Sequence, residues 1–137
     1  MGYLMNWAAR LFRRLADRRL EPLGLSSGHL PVLTALAANG AMSQKALTEH
    51  AAIEQPTMAA TLARMERDAI IERQPDPRDK RISLFSLTPA TRRKVEAVQA
   101  AVEGMNAAAL ADLPEGDRAK FRHMLQTVIA TLERSGG

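Results

Sequence analysis

The chain has 137 residues, 46% of them hydrophobic, a formal net charge of +4 and no cysteine. That is the size of one domain with enough apolar surface for a core, and it excludes disulfides, thiolate metal sites, a cysteine nucleophile and thiol-based redox sensing. The positive charge suits an anionic partner such as nucleic acid without requiring one.

Aromatic residues make up only 4%, while Ala, Leu and Arg abound, a mixture that favours helices over sheets. From Leu4 the apolar positions Leu4, Ala8, Leu11, Leu15 and Leu20 recur near the helical period, with arginines on the other face, until Pro22 and Gly24 end the run. Arg10, Arg13, Arg14, Arg18 and Arg19 interrupt this stretch too early for a signal peptide or a membrane span, so a cytoplasmic protein is expected. These arginines read as a solvated face rather than a nucleic-acid contact. Ser26 or Ser27 can cap a second helix with Leu30, Leu33 and Leu36 on one stripe, Pro31 in its first turn and Asn39-Gly40 at its stop.

A short third helix runs from the cap Ser43 to about His50, and a fourth begins near Glu54-Gln55-Pro56, where the proline fits a first turn. On the fourth, Met58, Leu62 and Met65 form a buried stripe. Pro56, Thr57, Ala60, Ala63, Arg64 and Arg67 fall on the opposite face, which is small, polar and basic. Ile70–Gln74 and Ile82–Leu87 then read as two strands around the charged tip Pro75-Asp76-Pro77-Arg78-Asp79-Lys80-Arg81. Thr88-Pro89 starts a long fifth helix carrying Val95, Val98, Val102, Met105 and Ala109. Asp112-Leu113-Pro114 breaks the chain, and a sixth helix bears Phe121, Leu125, Val128 and Leu132 before Ser135-Gly136-Gly137.

The expected architecture is therefore mainly α with a small β-hairpin, a winged helix-turn-helix over about residues 26–87 within one domain spanning 1–137. The helices of 1–22 and 88–135 are left for dimerisation. A major groove admits one helix whose outward side chains are short and carry donors, and Gln55, Pro56, Thr57, Ala60 and Arg64 meet that requirement. Gln can pair with adenine, Arg with guanine or phosphate, and the methyls of Thr57 and Ala60 can touch thymine methyls. At the hairpin tip Arg81 is placed to enter a minor groove if Asp79 holds its guanidinium extended, with Arg78 and Lys80 on phosphates. Arg92, Arg93 and Lys94 read as surface. The three histidines lie far apart without carboxylates at ligand spacing, and no phosphate loop or nucleophile elbow is present, so no metal, no cofactor and no catalytic residues are expected.

The stretch from Leu11 to about Lys94 resembles the MarR family of winged-helix regulators. The matching segments are Leu20-Glu21-Pro22-Leu23-Gly24-Leu25, Val32-Leu33, Leu36, Ile53-Glu54-Gln55-Pro56-Thr57, Leu62, Ile71, Arg73, Asp79-Lys80-Arg81 and Leu87-Thr88. Two of them, Ile53–Pro56 and Arg19–Leu25, resemble its SlyA branch in particular. The resemblance implies a homodimeric repressor or anti-repressor on an inverted repeat of double-stranded DNA, released by a small aromatic or anionic ligand. It places the wing arginine at Arg81, its orienting aspartate at Asp79 and the recognition helix at Gln55–Arg67. The effector residues it suggests, near the meeting of helices one, two and five, are Trp7, His29, Arg10 and Arg14. One departure stands out: such regulators usually carry glycine before the first strand, where this chain has Asp68-Ala69-Ile70, and a left-handed backbone there would cost alanine on the order of 1 kcal/mol. A winged helix used to bind another protein, and constitutive DNA binding without an effector, remain as alternatives.

Overall fold

The structure, a computed structural model, describes residues 1–136. Helix α1 (Gly2–Leu20) stops where Pro22 sits inside a 3-10 turn, Glu21–Leu23, closed by Gly24 at φ 72°. That left-handed angle is one that glycine adopts without a Cβ penalty. The chain turns again through Ser27–His29 and enters α2 (Leu30–Asn39), with Pro31 in its first turn and Gly40 at φ 75° beyond its end. A two-residue strand β1 (Met42–Ser43) leads into α3 (Gln44–Ala51), whose first turn is capped by the Ser43 hydroxyl, 3.1 Å from the Ala46 amide. Ala52, left-handed at φ 52°, makes the turn to α4 (Gln55–Arg67).

Strands β2 (Ile71–Pro75) and β3 (Ser83–Leu87) pair antiparallel, with Arg73 opposite Phe85. Next come a single turn of helix α5 (Pro89–Arg92), then α6 (Val95–Ala109) and α7 (Glu115–Ser135). Thr88 caps α5 as its Thr-Pro signature requires, and its hydroxyl also donates to the Ala69 carbonyl at 2.9 Å.

The chain divides into two compact units, Met1–Val102 and the residues from Glu103 onward, the division falling inside α6. The first holds a core of Leu20, Val32, Leu33, Leu36, Leu47, Met58, Leu62, Met65, Ile71, Phe85 and Leu87. Burying each such large side chain is worth about 1.5–3 kcal/mol, so this core holds α2, α3, α4 and the sheet together. The stripe Met58, Leu62 and Met65 is at most 2% exposed, as the helical period requires. In the second unit, α7 leaves Phe121, Met124, Leu125, Ile129 and Leu132 exposed.

Two features differ from the sequence reading. The hairpin is part of a three-stranded sheet in the order β1-β3-β2, because β1 adds Met42 and Ser43 opposite Phe85 and Leu84. The long fifth helix is broken at Arg93 and Lys94: Lys94 donates its backbone N–H to Thr91 three residues back, and its ammonium reaches the Leu23 carbonyl at 2.8 Å. Lys94 is thus a tether between the α1–α2 elbow and the α5–α6 kink rather than a surface cation. Along α1 only Ala16 and Leu20 are buried, while Leu4, Trp7 and Leu11 are exposed, in keeping with a helix left outside the core.

Candidate nucleic-acid interface

Helices α3 and α4 meet in a tight turn, and both begin at the same end of the unit. The Gln44 amide nitrogen, at the first position of α3, donates to the Gln55 amide oxygen, at the first position of α4, over 3.1 Å. Gln55, Pro56, Thr57, Ala60, Arg64 and Arg67 are all exposed on α4, opposite the stripe that faces the core. The first-turn amides of α4 have no intrahelical acceptor, and a helix N-terminus carries partial positive charge, so this end favours an anion.

The tip between β2 and β3 is organised by its aspartates. Asp76 accepts from the Arg78 amide at 2.9 Å and donates its own amide to the Ile82 carbonyl at 2.7 Å. The carboxylate of Asp79 accepts from the Arg81 amide at 3.1 Å and from the Arg81 guanidinium at 3.0 and 3.1 Å. Two parallel bonds fix a planar guanidinium in orientation as well as position. The Arg81 hydrogen bonds hold the Asp79 carboxyl below its ordinary value, so it stays ionised. The Arg81 side chain is nevertheless 90% exposed. Arg78 and Lys80 flank it, also exposed.

Strand and helix are tied together behind this surface. Arg73 on β2 makes a two-point ion pair with Glu66 on α4, at 2.8 and 2.9 Å, and its guanidinium lies 5.7 Å from the centre of the Phe85 ring. The hydrogen bonds to Glu66 raise the Arg73 pKa. Sequence reasoning named Arg73 only as part of a motif and missed Glu66 and Gln44. The signal for the pair was thin: a Glu late in a helix and an Arg at the third position of the next strand.

At the exit of α4, Ala69 has φ 57° and is left-handed, at the position where a glycine is missing. Its amide closes back on the Glu66 carbonyl at 3.1 Å, so the turn is built despite the Cβ.

The four effector candidates do not converge within the chain. Trp7, Arg10 and Arg14 lie exposed along α1, with Trp7 stacked at a tilt on Tyr3 at 5.7 Å. His29 is partly buried near the other end of that helix, with the charges of Asp17 from α1, of Arg64 from α4 and of Asp68 just beyond α4 around it. Its Nδ1 accepts from the Ser26 amide at 3.1 Å in a capping box, so its ring has a structural task. Burial, followed by Arg64, lowers the His29 pKa from 6.5, against the opposing pull of Asp68 and Asp17. A half-open groove of about 140 Å³ between α2 and the α5–α6 segment is lined by Leu33, Thr34, Ala37, Val95 and Val98 and includes none of the four. Among the described residues there is no cluster of three metal-ligating side chains, and no helix is long and apolar enough to cross a membrane.

A model of the MarR family matches residues 23–82. A curated HTH-type transcriptional regulator of unassigned role, YwoH of Bacillus subtilis (strain 168), is 32% identical over 122 residues, covering 89% of this chain and 88% of that protein. The HTH-type transcriptional repressor IacR of Pseudomonas putida is 25% identical over 130 residues, 93% of this chain and 78% of the repressor. Among solved structures, a probable transcriptional regulator from Pseudomonas aeruginosa superposes with a TM-score of 0.85 at 28% identity, over 93% of this chain and 95% of that one. A mutant MarR from E. coli complexed with operator DNA shares the fold with a TM-score of 0.84 at 22% identity, over 93% and 91% of the two chains. Bordetella bronchiseptica BpsR, whose DNA binding is regulated by 6-hydroxynicotinic acid, does so at 0.83 and 24%, again over 93% and 91%. With a relative above 30% identity across nearly its whole length and the winged helix-turn-helix in place, the chain belongs to the MarR family of transcriptional regulators.

Proposed function

We propose that this regulator is a homodimeric repressor of the SlyA-like branch. It binds an inverted repeat through α4 and the tip between β2 and β3, with a small aromatic or anionic ligand releasing it. The observation that carries the reading is the wing: Arg81 donates two hydrogen bonds to Asp79, which hold its guanidinium, yet remains 90% exposed. A solvated arginine gains little from a neighbouring carboxylate, and a carboxylate at a phosphate-facing tip is repulsive unless it orients the cation for something else. The narrow minor groove, with its concentrated negative potential, is the partner that rewards an extended, pre-aimed guanidinium.

In this reading Gln55, Pro56, Thr57, Ala60 and Arg64 face the major groove, while Arg78 and Lys80 neutralise phosphates. The exposed apolar residues Tyr3, Leu4, Trp7 and Leu11 of α1 and Phe121, Leu125, Ile129 and Leu132 of α7 supply the faces that a second copy covers. Two such copies set their recognition helices about 34 Å apart, one turn of DNA. The repressor character of IacR and the ligand control of BpsR support the sign and the effector class. Trp7, Arg10, Arg14 and His29 remain the candidate effector contacts, with a site drawing on both copies because the four are not gathered within one.

The test is a mobility-shift titration at several salt concentrations against the DNA upstream of the regulator's own gene, with unrelated duplex as competitor. Wild type is expected to bind tightly and resist competitor. Arg81→Ala is expected to weaken binding and reduce the salt slope by about 1. A mutation without effect on a competitor-resistant complex overturns the wing assignment, and binding no better than to competitor overturns this operator.

A further inference from the structure

Two glutamines stand at equivalent places in the two helices of the reading head. Gln44 is the first residue of α3, Gln55 the first of α4, and the amide nitrogen of Gln44 donates to the amide oxygen of Gln55 at 3.1 Å. Gln44 is partly buried whereas Gln55 is exposed. The backbone of Gln44 is anchored too, since its carbonyl accepts the Thr48 hydroxyl at 2.8 Å. The backbone of the inner glutamine is therefore held at the head of α3, and its amide pairs with that of the outer one.

A primary amide has two unlike ends: an oxygen that accepts and a nitrogen that donates two hydrogens. Once the Gln55 oxygen is engaged by Gln44, a flip of the Gln55 amide would set two N–H groups against each other and lose the bond. We propose that Gln44 is a specificity-determining positioning residue. By holding the Gln55 oxygen it leaves the Gln55 nitrogen as the outward donor, so this position selects a base edge that offers an acceptor. In the major groove those edges are guanine O6 and N7, adenine N7 and thymine O4; the cytosine N4 amine offers only a donor and is disfavoured. This rests on the assignment of α4 as the DNA-reading helix.

The relay gives Gln44 an effect on sequence preference that differs from any effect on folding. Gln44→Glu replaces the donor by an acceptor at the same length, and a carboxylate at the first position of a helix is favourable, so the variant is expected to fold. The introduced carboxylate would accept from the Gln55 nitrogen and turn the Gln55 oxygen outward. The preferred base at the contacted position should then move from guanine or thymine toward cytosine, whose amine donates, while adenine, with an acceptor and a donor, suits both proteins. Gln44→Ala removes the anchor, and the preference there should relax by about fivefold, with other positions unchanged.

The experiment is in vitro selection from a randomised duplex library by full-length wild type, Gln44→Glu, Gln44→Ala and Gln55→Ala, each checked for an unchanged thermal midpoint. A motif whose single altered position is shared by all three variants, with the Gln44→Glu preference reversed from acceptor to donor edges, is the expected result. If Gln55→Ala alters the motif but both Gln44 variants keep the wild-type one, the relay is wrong while the DNA-reading role of α4 stands. An unchanged motif in Gln55→Ala also overturns it, because Gln55 then reads no base. Absence of any motif for wild type removes the regulator assignment and this inference with it. Should Gln44→Glu fail to keep its midpoint, Gln44→Ala decides alone: an unrelaxed preference overturns the relay, a relaxed one at that position supports it.

Discussion

Asp79 grips Arg81 at the tip between β2 and β3 through two side-chain hydrogen bonds, 3.0 and 3.1 Å long, and a third to its amide, 3.1 Å. A charge argument and an orientation argument predict opposite outcomes when the carboxylate is neutralised. If the tip worked only as a cluster of cations, Asp79→Asn would tighten DNA binding by removing a repulsive charge. If the aspartate aims the arginine, Asp79→Asn weakens binding while leaving the net charge more favourable. The second outcome is expected, with Arg81→Ala weaker still, and titrations of the same operator fragment at fixed salt distinguish them.

Ala69 carries a strain that one substitution relieves. With φ at 57° it occupies the left-handed region, where a Cβ approaches the following carbonyl oxygen. Ala69→Gly is expected to stabilise the protein by up to about 1 kcal/mol, offset in part by the greater freedom of glycine in the unfolded chain. Urea unfolding followed by circular dichroism measures it. A higher midpoint at unchanged slope is the expected signature, and a lower midpoint would show that the turn tolerates alanine without strain.

The position of that strain was visible in the sequence, because Asp68-Ala69-Ile70 stands where the resemblance led one to expect glycine. So was most of the first unit. Met58, Leu62 and Met65 share one helical face, the punctuation at Gly24 and Gly40 was clear, and the strands emerged from a change of period after Ile70. What stayed hidden shares one physical cause, dependence on contacts distant along the chain. A two-residue strand has no alternation to detect, so β1 is defined only by its partners Leu84 and Phe85. The α5–α6 break has no proline or glycine; it coincides with Lys94 reaching a carbonyl 71 positions earlier. Of the candidate surface, the exposed residues of α4 and the Asp79–Arg81 pair were legible from spacing. The Gln44–Gln55 and Glu66–Arg73 pairs were not, since each joins two elements whose relative placement comes from the core.

Glu66 and Arg73 connect α4 to β2, so separating them should loosen the wing relative to the helix. The pair is solvent-exposed, which limits its weight in global unfolding. Glu66→Gln is therefore expected to leave the thermal midpoint nearly unchanged while quickening amide exchange in β2 and weakening operator binding. Exchange protection in β2 equal to wild type would assign the pair no part in holding the wing.

The exposed apolar face of α7 allows a direct test of the dimer. Ile129 is 48% exposed in the single chain, so a charge there costs the isolated fold little. In a two-fold assembly that covers this face, the same charge would be buried without a partner, at a cost of several kcal/mol. Ile129→Glu is expected to shift sedimentation from dimer to monomer at micromolar concentration with helical content retained. A monomeric wild type would show that this face has another use.

His29 supplies a pH dependence whose sign follows from its hydrogen bond. Its Nδ1 accepts the Ser26 amide and must be unprotonated to do so, while burial and Arg64 lower its pKa from 6.5 against the attraction of Asp17 and Asp68. The unfolded chain thus takes up this proton more readily than the folded one. Stability from this group is complete above pH 6.5 and is lost as the pH falls from 6.5 through the lowered folded value. Asp17, held below 3.8 first by the Ser27 amide at 2.7 Å, contributes stability that disappears only at lower pH, so the two windows separate. His29→Gln tests the origin of the upper window. Glutamine at the third position of a capping box can reach back to the cap amide as histidine does, but it does not titrate. The variant is expected to match wild type at neutral pH and to lose less stability as the pH falls below 6.5, measured by urea unfolding over a pH series. Equal losses in the two proteins would place the acid sensitivity elsewhere in the molecule.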